Sequence, residues 1–214
     1  MNEDLTVLNN NNKNEKLKTF FINNRGKLIS GFIIFIFIVI GVYSYENYIT
    51  SKKKEISDNF NAIIIDYSDS TKEKTINSLI GIINEKDPTY SPLSLYFIID
   101  NDLIKERATI NSFFEILIND TSLEDEIKNL IIYKKALFNA DYAQESELLK
   151  MLNPLINSKS VWKSHALYLM AEYFFSNNQK QKAKEFFNQI VSLENSNPDL
   201  KLQSEKRLNR DLSE

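Results

Sequence analysis

Apolar residues along this chain fall into two regimes. From Leu28 to Tyr45 the run LISGFIIFIFIVIGVYSY carries no charge over eighteen residues, whereas beyond it apolar positions recur at i, i+3, i+4 and i+7 among charged and amide side chains. At 1.5 Å per residue a helix of the first kind spans about 27 Å, close to the roughly 30 Å hydrocarbon core of a bilayer. The second pattern is the stripe of an amphipathic helix that buries one side. It predicts helices over 46–67, 71–85, 91–104, 106–119, 122–138, 141–157, 160–176, 179–193 and 198–211, the first continuing the apolar run outward. Strict alternation, the mark of a half-buried strand, is scarce.

The breaks between these segments carry helix-end chemistry. Ser70 and Thr71 precede Glu73, and Thr121 and Ser122 precede Glu124, Asp125 and Glu126, so each group can cap an N-terminus and complement its dipole. Pro88, Pro92, Pro154 and Pro198 stand where helices stop or start. Connections of two to six residues force neighbouring helices antiparallel, which makes a helical-hairpin array or a bundle.

Flanking charge orients the apolar run. Residues 1–27 hold Lys13, Lys16, Lys18, Arg25 and Lys27 against three acids, while Lys52, Lys53 and Lys54 follow Glu46 on the other side. The bias places the tail, 1–27, in the cytoplasm and residues 46–214 across the membrane, with 28–45 as the transmembrane helix and Tyr43, Tyr45 and Tyr48 as an aromatic belt. A cleaved signal peptide is the rival, since Val42-Tyr43-Ser44 has a small-residue cleavage pattern. The long amino-terminal region and the length of the apolar run favour an uncleaved single-pass anchor. The tail is polar and low in complexity up to Leu17, which predicts disorder at its start, with Leu17, Phe20 and Phe21 as a short amphipathic lead-in at the membrane surface.

Composition removes whole classes of function. Only one of four glycines, Gly81, lies beyond residue 45, so a P-loop, a GxGxxG site and hairpin-rich β folds are improbable. The absence of cysteine excludes thiol nucleophiles, disulfides and Cys-ligated metals. Lysine outnumbers arginine 22 to 4, and there are 26 Asn and 27 Ile, the usage of an AT-rich genome; Asn9–Asn12 and the sequon-like Asn119-Asp120-Thr121 are read as that bias. Residues 46–214 carry 21 basic and 26 acidic side chains with no basic stripe, which argues against nucleic acid. His165, the single histidine, has no HExxH or nucleophile context, and the acidic groups at 66, 69 and 124–126 lack calcium-loop spacing. No enzyme constellation, cofactor site or metal site is read from the sequence.

The stretch SHALYLMAEYFFSNNQKQKAKEFFNQIV carries a packing signature instead. Ala171 and Ala183 lie twelve apart across a turn at Asn177-Asn178, with Leu167, Met170 and Phe174 on one side and Phe187 and Ile190 on the other. Two helices approach closely where both side chains are small, and the larger residues fill the wedge. This is the logic of a tetratricopeptide repeat. Aligning Ala108 with Ala183 gives 75 residues, close to two units, with Pro92, Leu95, Tyr96 and Ile99 at first-helix positions and Ser112 in place of an aromatic. In that register His165, Tyr168, Glu172 and Phe175 lie off the packing face, on the concave side, as candidates for partner binding; the alternative is that Tyr168 and Phe175 pack within the array.

The layout resembles the membrane-anchored tetratricopeptide-like proteins of Gram-negative bacteria that are ancillary subunits of the Sec translocon. A short basic tail, one anchor, DPTYSPLSLYFIIDNDLI (87–104), and the closing blocks WKSHALYLMAEYFF, QKAKEFFNQIV and NPDLKLQSEKRL carry the resemblance. Asn stands where family members place glycine, and Ser204 where a small alanine is typical. The resemblance implies an all-α chain with an N-terminal transmembrane helix and a periplasmic array of degenerate tetratricopeptide-like hairpins. It implies a non-enzymatic inner-membrane adaptor that meets translocon subunits and periplasmic chaperones during export. The alternative function is a scaffold for another envelope complex, in division or outer-membrane assembly.

Overall fold

A computed structural model describes the backbone of residues 3–213 and the side chains of residues 15–213. The chain divides into two units, Met1–Glu55 and Ile56–Glu214. Among the described residues there are nine α-helices and no strand.

The first unit is one helix. Helix α1, Glu3–Ile65, runs through the apolar stretch, whose side chains are all exposed. It is long and apolar enough to cross a membrane. The disordered start expected of the tail is replaced by helix from Glu3. Once the apolar run has nucleated a helix, each further residue adds a hydrogen bond at little cost, so helix spreads into a segment of poor propensity.

The second unit holds the last turns of α1 and helices α2 (Lys72–Asn84), α3 (Tyr90–Asp100), α4 (Arg107–Glu115), α5 (Asp125–Asn139), α6 (Glu145–Ile156), α7 (Lys163–Ser176), α8 (Lys180–Ser192) and α9 (Pro198–Arg210). Their apolar stripes meet in two clusters. Ile56 and Phe60 of α1 join Leu79, Ile83, Leu95, Ile98, Phe114 and Leu117 in the first. Leu148, Leu152, Met170, Phe174, Phe187 and Ile190 dominate the second. Helix α5 serves both, giving Ile131 to one and Ala136 to the other. Each large side chain so buried contributes about 1.5–3 kcal/mol.

Helix α2 packs chiefly on α3, α5 on α6, α7 on α8, and α9 on α8. Two successive hairpins bury matching positions. Ala136, Leu148, Leu152 and Leu155 of α5–α6 correspond, 35 residues on, to Ala171, Ala183, Phe187 and Ile190 of α7–α8, and all eight have no exposed surface. The alignment through Ala108 is corrected: Ala108 and Ser112 are exposed, and α4 instead buries Ile110, Phe113 and Phe114. A π-helical turn, Ile116–Asp120, ends α4 and adds a residue to the local phase, so alanine spacing projected across it picks the solvent side.

Two expected caps are also corrected. Helix α2 starts after Thr71, but the Thr71 hydroxyl donates to Asp66 O at 2.8 Å and accepts from Ser68 N at 2.9 Å, tying the α1–α2 turn rather than capping α2. Helix α5 starts at Asp125, and Thr121 turns back to Ile116 O at 3.2 Å. Asn197 is a true cap: its side chain accepts from Asp199 N and Leu200 N, with Pro198 opening α9.

Scarce glycine leaves left-handed helix ends to other residues. Lys86, Asp102 and Asn178 follow α2, α3 and α7 at φ of 56°, 48° and 60°. At α7, Gln179 N donates to Phe174 O at 2.8 Å and Asn178 N to Phe175 O at 3.0 Å, the paired bonds of a Schellman end. Asparagine tolerates this conformation; lysine does so poorly. Lys86→Gly is therefore expected to raise stability by about 0.5–1 kcal/mol, and Asn178→Gly by less, in denaturant unfolding followed by helical circular dichroism.

Candidate protein-binding face

Helix α7 carries the four residues singled out by sequence, and its neighbours α5 and α9 decide their surroundings. His165, Tyr168 and Glu172 recur at i, i+3 and i+7, and Phe175 three further on, so they share one side of α7. The opposite side is spent on Leu167, Met170, Ala171 and Phe174 in the core.

The structure divides the four. His165 belongs with α5: its ring lies 4.9 Å from Trp162 and 5.7 Å from Tyr133, and those two rings stack at 5.8 Å. Trp162 Nε1 donates to Glu126 O at 3.1 Å, and Ser160 Oγ to Glu126 Oε2 at 2.7 Å, fixing the start of α7 on α5. The other three belong with α9. Arg207 Nε donates to Glu172 Oε1 at 2.9 Å, a second bond joins Arg207 Nη2 to Glu172 Oε2, and its guanidinium lies 4.6 Å over the Phe175 ring. Arg207 Nη1 also donates to Asp211 Oδ2 at 2.9 Å. The ring of Tyr168 meets Phe187 edge-on at 5.6 Å.

All four candidates are half-buried, so the exposed aromatic anchors expected of a concave surface are corrected to rings packed on the core and under Arg207. What remains open is a mixed strip of partly covered aromatic faces beside paired charges. Such a strip suits a protein segment that supplies its own apolar side chains and hydrogen-bond partners. Among the described residues no cluster of His, Cys, Asp or Glu is fit to hold a metal ion.

Arg207, Asp211 and Tyr133 were missed by sequence reasoning, and a signal for the first existed. In a chain that writes lysine 22 times and arginine four, an arginine marks a place where a planar fork is needed. Arg107 uses the plane differently, its guanidinium stacked 3.4 Å over the Tyr142 ring.

The electrostatics follow from these contacts. Bonds to Asp211 and Glu172 raise the Arg207 guanidinium, and Asp211, held by Arg210 and then Arg207, falls well below the usual carboxylate range. Burial, followed by the Glu172 carboxylate, raises the Tyr168 phenol. Burial beside Trp162 and Tyr133 lowers His165, and a backbone hydrogen bond to Val161 offsets this only in part. The unfolded chain thus takes up this proton more readily than the folded one. His165 contributes stability that is complete above its ordinary value of about 6.5 and is lost as pH falls toward the lowered folded value. His165→Gln is expected to flatten that part of the stability profile between pH 7 and 5; an unchanged slope would place the acid sensitivity elsewhere.

Compared with known proteins, the chain matches no family model, no curated sequence and no solved structure.

Proposed function

We infer that this chain is a non-enzymatic adaptor tethered to the bacterial inner membrane by the apolar part of α1, with its amino-terminal tail cytoplasmic and its helical domain periplasmic. That domain is read as a short, degenerate tetratricopeptide-like array that associates with the Sec translocon and meets periplasmic chaperones or exported chains. The observation that carries the repeat reading is the 35-residue correspondence of eight fully buried positions in α5–α6 and α7–α8. Repeat arrays of this kind present the first helix of each hairpin on one side, which is where Tyr133, His165, Tyr168 and Glu172 sit. The translocon as partner rests on the sequence resemblance. Tethering makes such an assignment workable with weak contacts, because it holds the face at high local concentration.

Photocrosslinking in native membranes tests the reading. A photoreactive residue at Tyr168 is expected to capture translocon subunits, while one at the exposed Asn188 of α8 is not. Capture of division or outer-membrane assembly proteins in their place would move the adaptor to another envelope complex, and capture at Asn188 alone would discard the α5–α7–α9 face. The absence of native cysteine allows sidedness to be read separately. Asn10→Cys should resist an impermeant thiol reagent in spheroplasts, and Asn177→Cys should react.

A further inference from the structure

The apolar surface of α1 does not stop at Leu28. Two to three turns earlier along the helix, Leu17, Phe20 and Phe21 are 55–57% exposed, separated from the main run by Asn23, Asn24, Arg25, Gly26 and Lys27. In a straight helix Leu17 would stand about 16 Å before Leu28, beyond the hydrocarbon core entered there. Two exposed phenylalanines in water at that height gain nothing.

Their angular placement supplies an alternative. With about 100° between successive residues, Leu17, Phe20 and Phe21 fall within an arc of about 100°. Lys16 and Lys27 border one edge of that arc, and Lys18 and Arg25 the other. Glu15 and Thr19 lie opposite, with Asn23 beside Lys16 on the rim; Ile22 is the one apolar side chain on the opposite side. Asn24 falls inside the arc, but its Nδ2 donates to Phe20 O at 2.9 Å and so is turned onto the helix. Thr19 Oγ1 likewise donates to Glu15 O at 2.8 Å. An apolar stripe with basic residues on both rims is the arrangement of a helix lying in a membrane interface, its rings among the acyl chains and its cations reaching headgroup phosphates. Four basic residues against one acid in 15–27 favour an anionic leaflet. Gly26 lies at the junction. A Cβ there would meet nothing within 4 Å, so no packing contact demands glycine, whereas its weak helix preference permits a bend.

We propose that residues 15–27 dock as an interfacial helix on anionic phospholipid headgroups, turning at Gly26 from the membrane-spanning run, with Leu17, Phe20 and Phe21 immersed and Lys16, Lys18, Arg25 and Lys27 on phosphates. The docking rests on the reading of 28–45 as membrane-spanning. It adds a lipid-sensing contact on the side of the membrane opposite the helical domain of the proposed adaptor.

The test uses the full-length chain in vesicles of phosphatidylcholine alone and of phosphatidylcholine with about 30% phosphatidylglycerol, an anionic surface of the kind that attracts basic segments. Spin labels are placed singly by Phe21→Cys, Thr19→Cys and Phe35→Cys. In anionic vesicles the label at 21 is expected to collide with oxygen in preference to a water-soluble nickel reagent, and the label at 19 to do the reverse. Changing Lys16, Lys18, Arg25 and Lys27 together to Gln should abolish most of the difference between the two vesicle types, at about fivefold in partitioning per basic residue. Equal accessibility at 21 and 19 would overturn the docking, as would immersion at 21 that survives the four-Gln change. Protection of 21 in native membranes but not in pure lipid would overturn it in favour of a protein partner. The label at 35 is the separate control: if it meets water, the anchor reading itself fails, and the docking with it.

Discussion

Phe187→Ala is expected to cost the helical domain about 3–5 kcal/mol, a third or more of the stability of an ordinary domain. Phe187 has no exposed surface, and it is buried in one cluster with Leu167, Met170, Ala171 and Phe174 of α7. Removing it loses the transfer energy of the ring and leaves a cavity whose walls, Leu167 to Phe174 of α7, are themselves pinned by packing on α5, α6 and α9. Little collapse is available, so the upper part of the range applies. Tyr168 also loses the edge-on contact that holds its ring at 5.6 Å, which links this core position to the candidate binding face. Urea unfolding of the full chain in detergent, followed by helical circular dichroism, measures the loss. Phe186→Ala, at the neighbouring half-buried position, serves as the comparison and should cost clearly less. Equal losses at 186 and 187 would mean that the α7–α8 interface is not packed in this register.

The parts of the fold legible beforehand were those written in side-chain periodicity over ten or more residues. Eight amphipathic segments after the apolar run correspond to α2–α9, because a stripe repeated over three turns has only one partner geometry. Ends were less legible. Thr71 and Thr121 have cap chemistry, yet both hydroxyls close turns to carbonyls behind them, since a short side chain can satisfy whichever backbone group the tertiary fold brings near. Ala108 misled because alanine is equally at home on a solvent-facing helix surface, and because the π-helical turn shifts the phase between α4 and α5. At the candidate site the side of α7 was legible, but its covering was not: Glu172 and Arg207 are 35 residues apart, and the packing of α9 on α8 and α7 brings them together. Asp211 was visible in principle as an i, i+4 partner of Arg207.

Ala171→Leu should be the most damaging enlargement in the domain, costing about 2–3 kcal/mol although it adds apolar surface. Ala171 on α7 and Ala183 on α8 are both completely buried in one cluster, on two helices that pack chiefly on each other. A helix pair separates to about 8–10 Å according to the side chains at its crossing, so a leucine at 171 must push α8 outward or abandon its preferred rotamers. Movement of α8 is resisted by α9, which packs on both α8 and α7 and whose Ser204 is fully buried. Strain at 171 therefore passes through α8 to α9 and loosens the Arg207 fork on Glu172. Two readouts separate this chain of effects from simple unfolding. Stability should fall by several degrees in melting temperature, at about 2–4 °C per kcal/mol for a domain of this size, while helical signal at low temperature is retained. Crosslinking through position 168 should fall further than stability predicts, because the covering of the α7 face has shifted. On α5–α6 the position corresponding to Ala183 is Leu148, so for Ala136→Leu the equivalent hairpin already carries a larger side chain. That substitution should be tolerated better, and if it proves as damaging as Ala171→Leu, the twin alanines do not set the approach of α7 and α8.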